Sequence, residues 1–179
     1  MLVEGRSDRT ALLTLAGRLG RDLAAEGVEV VAMDGITNTR AFALRYGPRG
    51  LVLRLAGLYD SGEESTVRRG LAAAGVGDGV RPRELAHLGF YACTVDLEDE
   101  LIRALGADGV EAVIDAAGET LSLRRLAQMP AQRDRPREAL LHRFIGVRAG
   151  RKERYARLLV EALDLAQAPR PLTDLLGRV

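Results

Sequence analysis

The sequence predicts an α/β domain: a mostly parallel sheet of about four strands, helices on both of its faces, and further helices at the C-terminus. Two observations predict it. Short apolar runs near residues 2–3, 28–33, 51–58 and 88–95 read as strands. Segments with apolar residues at helical spacing separate them, and strands that alternate with helices build parallel β-α-β units covered on both faces.

Taken in order, Leu2-Val3 reads as the end of a strand turned by Glu4-Gly5-Arg6, and Ser7 as the cap of a helix striped by Leu12, Leu15, Ala16, Leu19 and Leu23. A central strand of about 5 residues needs more chain than stands before Glu4, which suggests a start upstream or a clipped strand. Gly27 ends the helix, Val28 to Met33 forms the second strand, and Asp34-Gly35 turns it. Thr37 or Asn38 caps a short helix through Ala41, Phe42 and Leu44. After Gly47-Pro48-Arg49-Gly50 the third strand runs from Leu51 to Leu58 and ends at Tyr59-Asp60. A helix over Glu63 to Ala74 leads to Gly75-Val76-Gly77-Asp78-Gly79, which lacks the Lys-Ser/Thr of a phosphate-binding loop and reads as a connection. Leu88 to Val95 is the fourth strand, Asp96-Leu97-Glu98-Asp99-Glu100 opens a helix, and 107–128 continues helical. Two C-terminal helices, near 137–145 and 150–166, precede a proline-bounded tail. Residues 1–179 form one domain, with the helices of 137–166 packed on it.

The chain is short of the ~20 consecutive apolar residues of a membrane span, so no membrane partner is expected. Its start lacks a signal-peptide pattern, and its one cysteine, Cys93, cannot form an internal disulfide; both fit a cytoplasmic protein. The net charge of +1 conceals a separation. Residues 58–120 carry 13 acids against 5 arginines, whereas 124–157 carry 11 basic residues against 3 acids. Such halves suit a protein that pairs an acidic metal site with a basic surface for polyanions, although helix surfaces in an arginine-rich chain are charged in any case. The absence of tryptophan argues against binding by base stacking.

Ligand sites of parallel sheets lie at the carboxyl ends of the strands, where Glu4, Asp60 and Asp96/Glu98 all fall. Asp8, four residues after Glu4, can point to the same spot. Singly, Asp60 fits a turn and Asp8 a favourable charge at a helix start. Together they repel, and a hard cation removes that cost; an all-oxygen set suits Mg²⁺ or Mn²⁺. Lys152 has a separate argument: it is the one lysine among 26 basic residues, where a compact ammonium would stand against a phosphoryl oxygen. Arg148, Arg151, Arg154 and Arg157 nearby would contact nucleic-acid phosphates without reading sequence. His87 and His142 have no Cys or His at ligand spacing, which argues against zinc.

Val3-Glu4-Gly5-Arg6-Ser7-Asp8, Asp34-Gly35-Ile36-Thr37-Asn38, Tyr59-Asp60-Ser61-Gly62, Asp96-Leu97-Glu98-Asp99-Glu100-Leu101 and Gly150-Arg151-Lys152-Glu153-Arg154-Tyr155-Ala156 follow in that order. The series resembles the TOPRIM (topoisomerase–primase) domain of OLD-family (overcoming lysogenization defect) endonucleases, over nearly the whole chain. The resemblance implies a TOPRIM fold and a Mg²⁺-dependent nuclease acting on DNA, with Mn²⁺ or Ca²⁺ as other ions for the site and one or two ions in all. It implies Glu4 as a metal ligand and proton acceptor, Asp8, Asp60, Asp96 and Glu98 as further ligands, and Lys152 facing the scissile phosphate. Gly62 stands where the pattern has its second aspartate and offers no ligand. OLD-family proteins join this domain to an ATPase; with no Walker motif here, an ATPase in trans or an ATP-independent reaction is expected. Two other readings stay open: a catalytically weakened module that binds nucleic acid or a partner ATPase, and a phosphohydrolase acting on a small nucleotide.

Overall fold

The computed structural model describes residues 1–77, 79, 81, 84–146 and 150–179. Strands β1 (Leu2–Val3), β2 (Val31–Ala32), β3 (Gly57–Asp60) and β4 (Phe90–Cys93) form one parallel sheet in the order β2-β1-β3-β4. The chain therefore leaves β1 to one side for β2 and crosses to the other side for β3. That reversal opens a crevice beyond the carboxyl ends of β1 and β3.

Successive strand residues point to opposite faces, and two cores result. Val3, Leu58 and Cys93 face a core made with α1 (Arg6–Arg18), α4 (Leu97–Ala116), α6 (Arg137–Gly146), α7 (Arg151–Ala162) and α8 (Arg170–Arg178). Leu2, Tyr59 and Phe90 face the other, made with α2 (Thr39–Tyr46) and α3 (Glu64–Ala73). Helix α5 (Thr120–Gln128) lies over the rim of the larger core through Leu123 and Leu126. Gly57 is required where β3 begins: a Cβ there would stand 2.6 Å from the Leu2 carbonyl oxygen and 2.7 Å from the Phe90 ring.

Four expectations need correction. Helix α1 ends at Arg18 with Leu19 as its cap, so Leu23 and Gly27 lie in the turns that follow it. The run Leu51–Leu58 is not a strand over most of its length. Leu51 and Leu53 donate their N–H groups to the carbonyls of Arg45 and Tyr46, folding the segment back on the end of α2, with Val52 at φ 57°. Ser7 lies inside α1, whose cap is Gly5. The proline-bounded tail is helical: α8 buries Leu172, Leu175 and Leu176, and Arg21 donates to the carbonyls of Leu176 and Val179. Prolines at its start mark a helix beginning, where their missing N–H costs nothing. No helix among the described residues is long and apolar enough to cross a membrane.

Candidate metal centre

At the carboxyl edge of the sheet lies a cleft of about 430 Å³, lined by Glu4, Asp8, Asp60, Asp96, Glu98 and Lys152, with Arg6 and Glu153 at its margin. The structure thus gathers all five predicted metal ligands and the predicted lysine in one place. Glu4 follows β1, and its carbonyl accepts from Gly35 N–H at 3.0 Å, which extends the β1–β2 pairing to the site residue itself. Asp8 is fixed by its own helix start, its carboxylate accepting from Gly5 N–H at 2.8 Å. Asp60 is the last residue of β3.

The acidic run at the start of α4 divides by role. Asp96 is the N-cap, its Oδ1 accepting from Asp99 N–H at 2.8 Å. Glu100 is buried and accepts from Thr94 N–H at 2.7 Å, and Arg103 pairs with both Asp99 and Glu100. Of the acids in this run, Asp96 and Glu98 line the cleft.

The electrostatics record the crowding. Asp60 is pushed up to about 7, first by burial and then by Glu4, Asp8, Asp96 and Glu98. Asp8 is raised to about 6: burial outweighs the Gly5 N–H that favours its anion, and Glu98 and Glu4 add to the rise. Burial lifts Glu4 too, followed by Glu63 and Glu98, with Lys152 pulling the other way. Lys152 Nζ lies 3.1 Å from Glu98 Oε2; burial favours its neutral form, but Glu98, Asp96 and Asp8 hold it above its ordinary value. The other oxygen, Glu98 Oε1, is buried with no hydrogen-bond partner among the described residues, on a residue only 4% exposed. An orphaned carboxylate oxygen costs free energy unless something fills its coordination. Oxygen donors converging with excess negative charge fit a divalent cation.

Three arginine expectations resolve differently. Arg151 is turned inward, 7% exposed, its guanidinium stacked 4.1 Å from the Phe144 ring and bonded to the Phe144 carbonyl and Glu119; it holds helices together and is not a phosphate contact. Arg154 is about half exposed, with one arm on Glu119. Arg148 lies outside the described residues. Tyr59 packs in the smaller core, its hydroxyl raised to about 12 by burial and then by Glu64, which suits packing and not attack on phosphorus.

His142 is the residue that sequence reasoning missed. Its Nε2 lies 2.7 Å from Asp96 Oδ2, and Asp96, Glu98 and His142 each offer a ligand atom within 4.8 Å of the others. Spacing could not reveal it, because 46 residues separate it from Asp96.

A parallel sheet whose strand-end acids meet at its switch point agrees with the resemblance drawn from the sequence. The family model for the overcoming lysogenization defect protein-like TOPRIM domain matches residues 1–46. Over nearly the full chain the fold is that of solved C-terminal regions of OLD proteins. The one from Burkholderia pseudomallei is 25% identical at TM-score 0.74, covering 98% of this chain and 93% of that chain. The one from Xanthomonas campestris pv. campestris is 27% identical at TM-score 0.73, covering 99% and 89%. No curated protein matches the chain. The chain is thus similar to the OLD-type TOPRIM domain, by sequence over residues 1–46 and by fold over nearly its whole length.

Proposed function

We propose that this protein is a metal-dependent phosphodiesterase that cuts DNA, with Mg²⁺ as the working ion. The observation that carries the reading is the cleft itself: five carboxylates from β1, α1, β3 and α4 around one volume, with Lys152 the ammonium beside them. Glu4, Asp8, Asp60, Asp96 and Glu98 are the residues that would hold the metal, with room among them for one or two ions. When bound, it would polarise a phosphoryl oxygen and offset the charge that builds up during in-line displacement.

The protein's own groups do the rest. Lys152 stands over Glu98, where its ammonium can turn to a non-bridging phosphate oxygen. Glu4 accepts the proton of the attacking water at its carboxylate. Asp96 is oriented by its cap bond, so the site needs little rearrangement to bind. Arg6 at the cleft margin and the exposed part of Arg154 supply phosphate contacts that position DNA without reading sequence.

The test is plasmid nicking in Mg²⁺ or Mn²⁺. Wild type nicks; Glu4→Gln falls to background. Unchanged nicking in that variant sinks the assignment. A second reading rests on Gly62, which removes one oxygen from the site: a weakened module that binds nucleic acid or an ATPase supplied in trans. DNA binding of equal strength with and without metal, and no nicking, would select it.

A further inference from the structure

The geometry points to a mixed nitrogen–oxygen site at the edge of the cleft, formed by Asp96 and Glu98 from the cleft and by His142 from beside it, that takes a divalent transition ion such as Mn²⁺ in preference to Mg²⁺ or Ca²⁺. This deepens the proposed function and rests on it. Three observations converge. One ligand atom from each of the three residues lies within 4.8 Å of the others. Glu98 Oε1 is buried and has no partner among the described residues. His142 is held in place by the helix that carries it: α6 buries Leu141, Phe144 and Ile145 in the large core and thereby sets His142 against the N-cap of α4.

The chemistry of the donors decides the ion. Mg²⁺ and Ca²⁺ prefer oxygen throughout, and Mg²⁺ sheds water reluctantly. An imidazole nitrogen shifts preference to the transition series, where affinity rises from Mn²⁺ towards Cu²⁺. The 2.7 Å contact between His142 Nε2 and Asp96 Oδ2 is a hydrogen bond that an entering ion would replace, and side-chain rotation within the 4.8 Å group would bring the three donors onto it. Glu4, Asp8 and Asp60, by contrast, offer oxygen alone. The two donor sets differ in kind.

The experiment is a titration of the whole chain with Mn²⁺ followed by electron paramagnetic resonance, with pulsed detection of nitrogen coupling to the bound ion. The chain has two histidines, so ¹⁵N-histidine labelling and the control His87→Gln assign the signal. Wild type and His87→Gln are expected to show histidine nitrogen coupling. His142→Gln, whose amide can still hydrogen-bond Asp96, is expected to lose the coupling and bind Mn²⁺ roughly 10- to 100-fold more weakly. Its Mg²⁺ affinity, read by competition, should change less than about twofold, because the oxygen ligands remain. Bound Mn²⁺ without nitrogen coupling in wild type overturns this site and leaves the phosphodiesterase reading intact. Equal losses for Mg²⁺ and Mn²⁺ overturn the selectivity. No Mn²⁺ bound overturns this site, and the phosphodiesterase reading is then decided separately by nicking in Mg²⁺. Should His142→Gln misfold by circular dichroism, the labelled wild type still decides.

Discussion

Two regions of this molecule draw charge out of water, and they do so in opposite ways. Around Glu119 the balance is met within the chain: its two oxygens bond Arg151 and Arg154, and Arg151 also caps the Phe144 carbonyl. In the cleft, six carboxylates face Arg6 and Lys152, and Glu98 keeps one oxygen without a partner among the described residues. A buried charge that finds its counter-charge in the same chain is part of the scaffold. A set of like charges that does not is built for something the chain lacks. That contrast separates the structural arginine from the cleft acids more sharply than residue type does.

The largest effect should come from breaking the balanced side. Arg151→Ala leaves Glu119 with a single partner and removes the tie between α7 and α6. It should cost about 3 kcal/mol, read as a lower denaturation midpoint. Nicking at low temperature should persist; if it disappears while the fold stays intact, Arg151 belongs to the site after all. On the unbalanced side, Lys152→Ala should lower turnover on the order of a hundredfold while leaving metal affinity nearly unchanged. Loss of metal binding instead would show that the ammonium organises the acids.

A thermal series against pH sharpens the contrast further. Asp60 is about 7 in the folded state against an ordinary value near 3.8, so between those limits the folded chain holds more protons than the unfolded one. Its contribution is full below about pH 4 and is lost as pH rises through about 7. Metal-free Asp60→Asn should therefore melt above wild type, by a margin that widens from pH 5 to pH 8. Saturating Mg²⁺ should close the margin; equal melting temperatures at every pH would mean the acids do not strain the fold. The smallest effect is a gain. A Cβ at Gly62 would meet nothing within 4 Å, so Gly62→Asp should be tolerated and should tighten metal binding a few-fold in calorimetry.

Much of this was legible beforehand because it is local. An acid just after a short apolar run sits at the carboxyl end of a strand wherever that strand is placed, so Glu4, Asp60 and the run at 96–100 were marked by sequence position alone. Asp8 was marked by one helical turn. The apolar run Leu51–Leu53 misled for a related reason: pattern cannot register that Gly50 fits against the Leu44 and Arg45 carbonyls, or that Leu51 and Leu53 bond back to Arg45 and Tyr46. The tail hid its helix because its leucines are apolar only toward a core the sequence does not display.

By itself, then, the sequence determined the alternation of strands and helices, the acids at strand ends and the singular lysine, each set by spacing within a few residues. The tertiary structure alone decided which acids of α4 face the cleft and which serve Thr94 and Arg103, that Arg151 turns inward, and that His142 reaches Asp96. Those outcomes depend on how α4, α6 and α7 pack on one another, and packing joins residues dozens of positions apart that no local period connects.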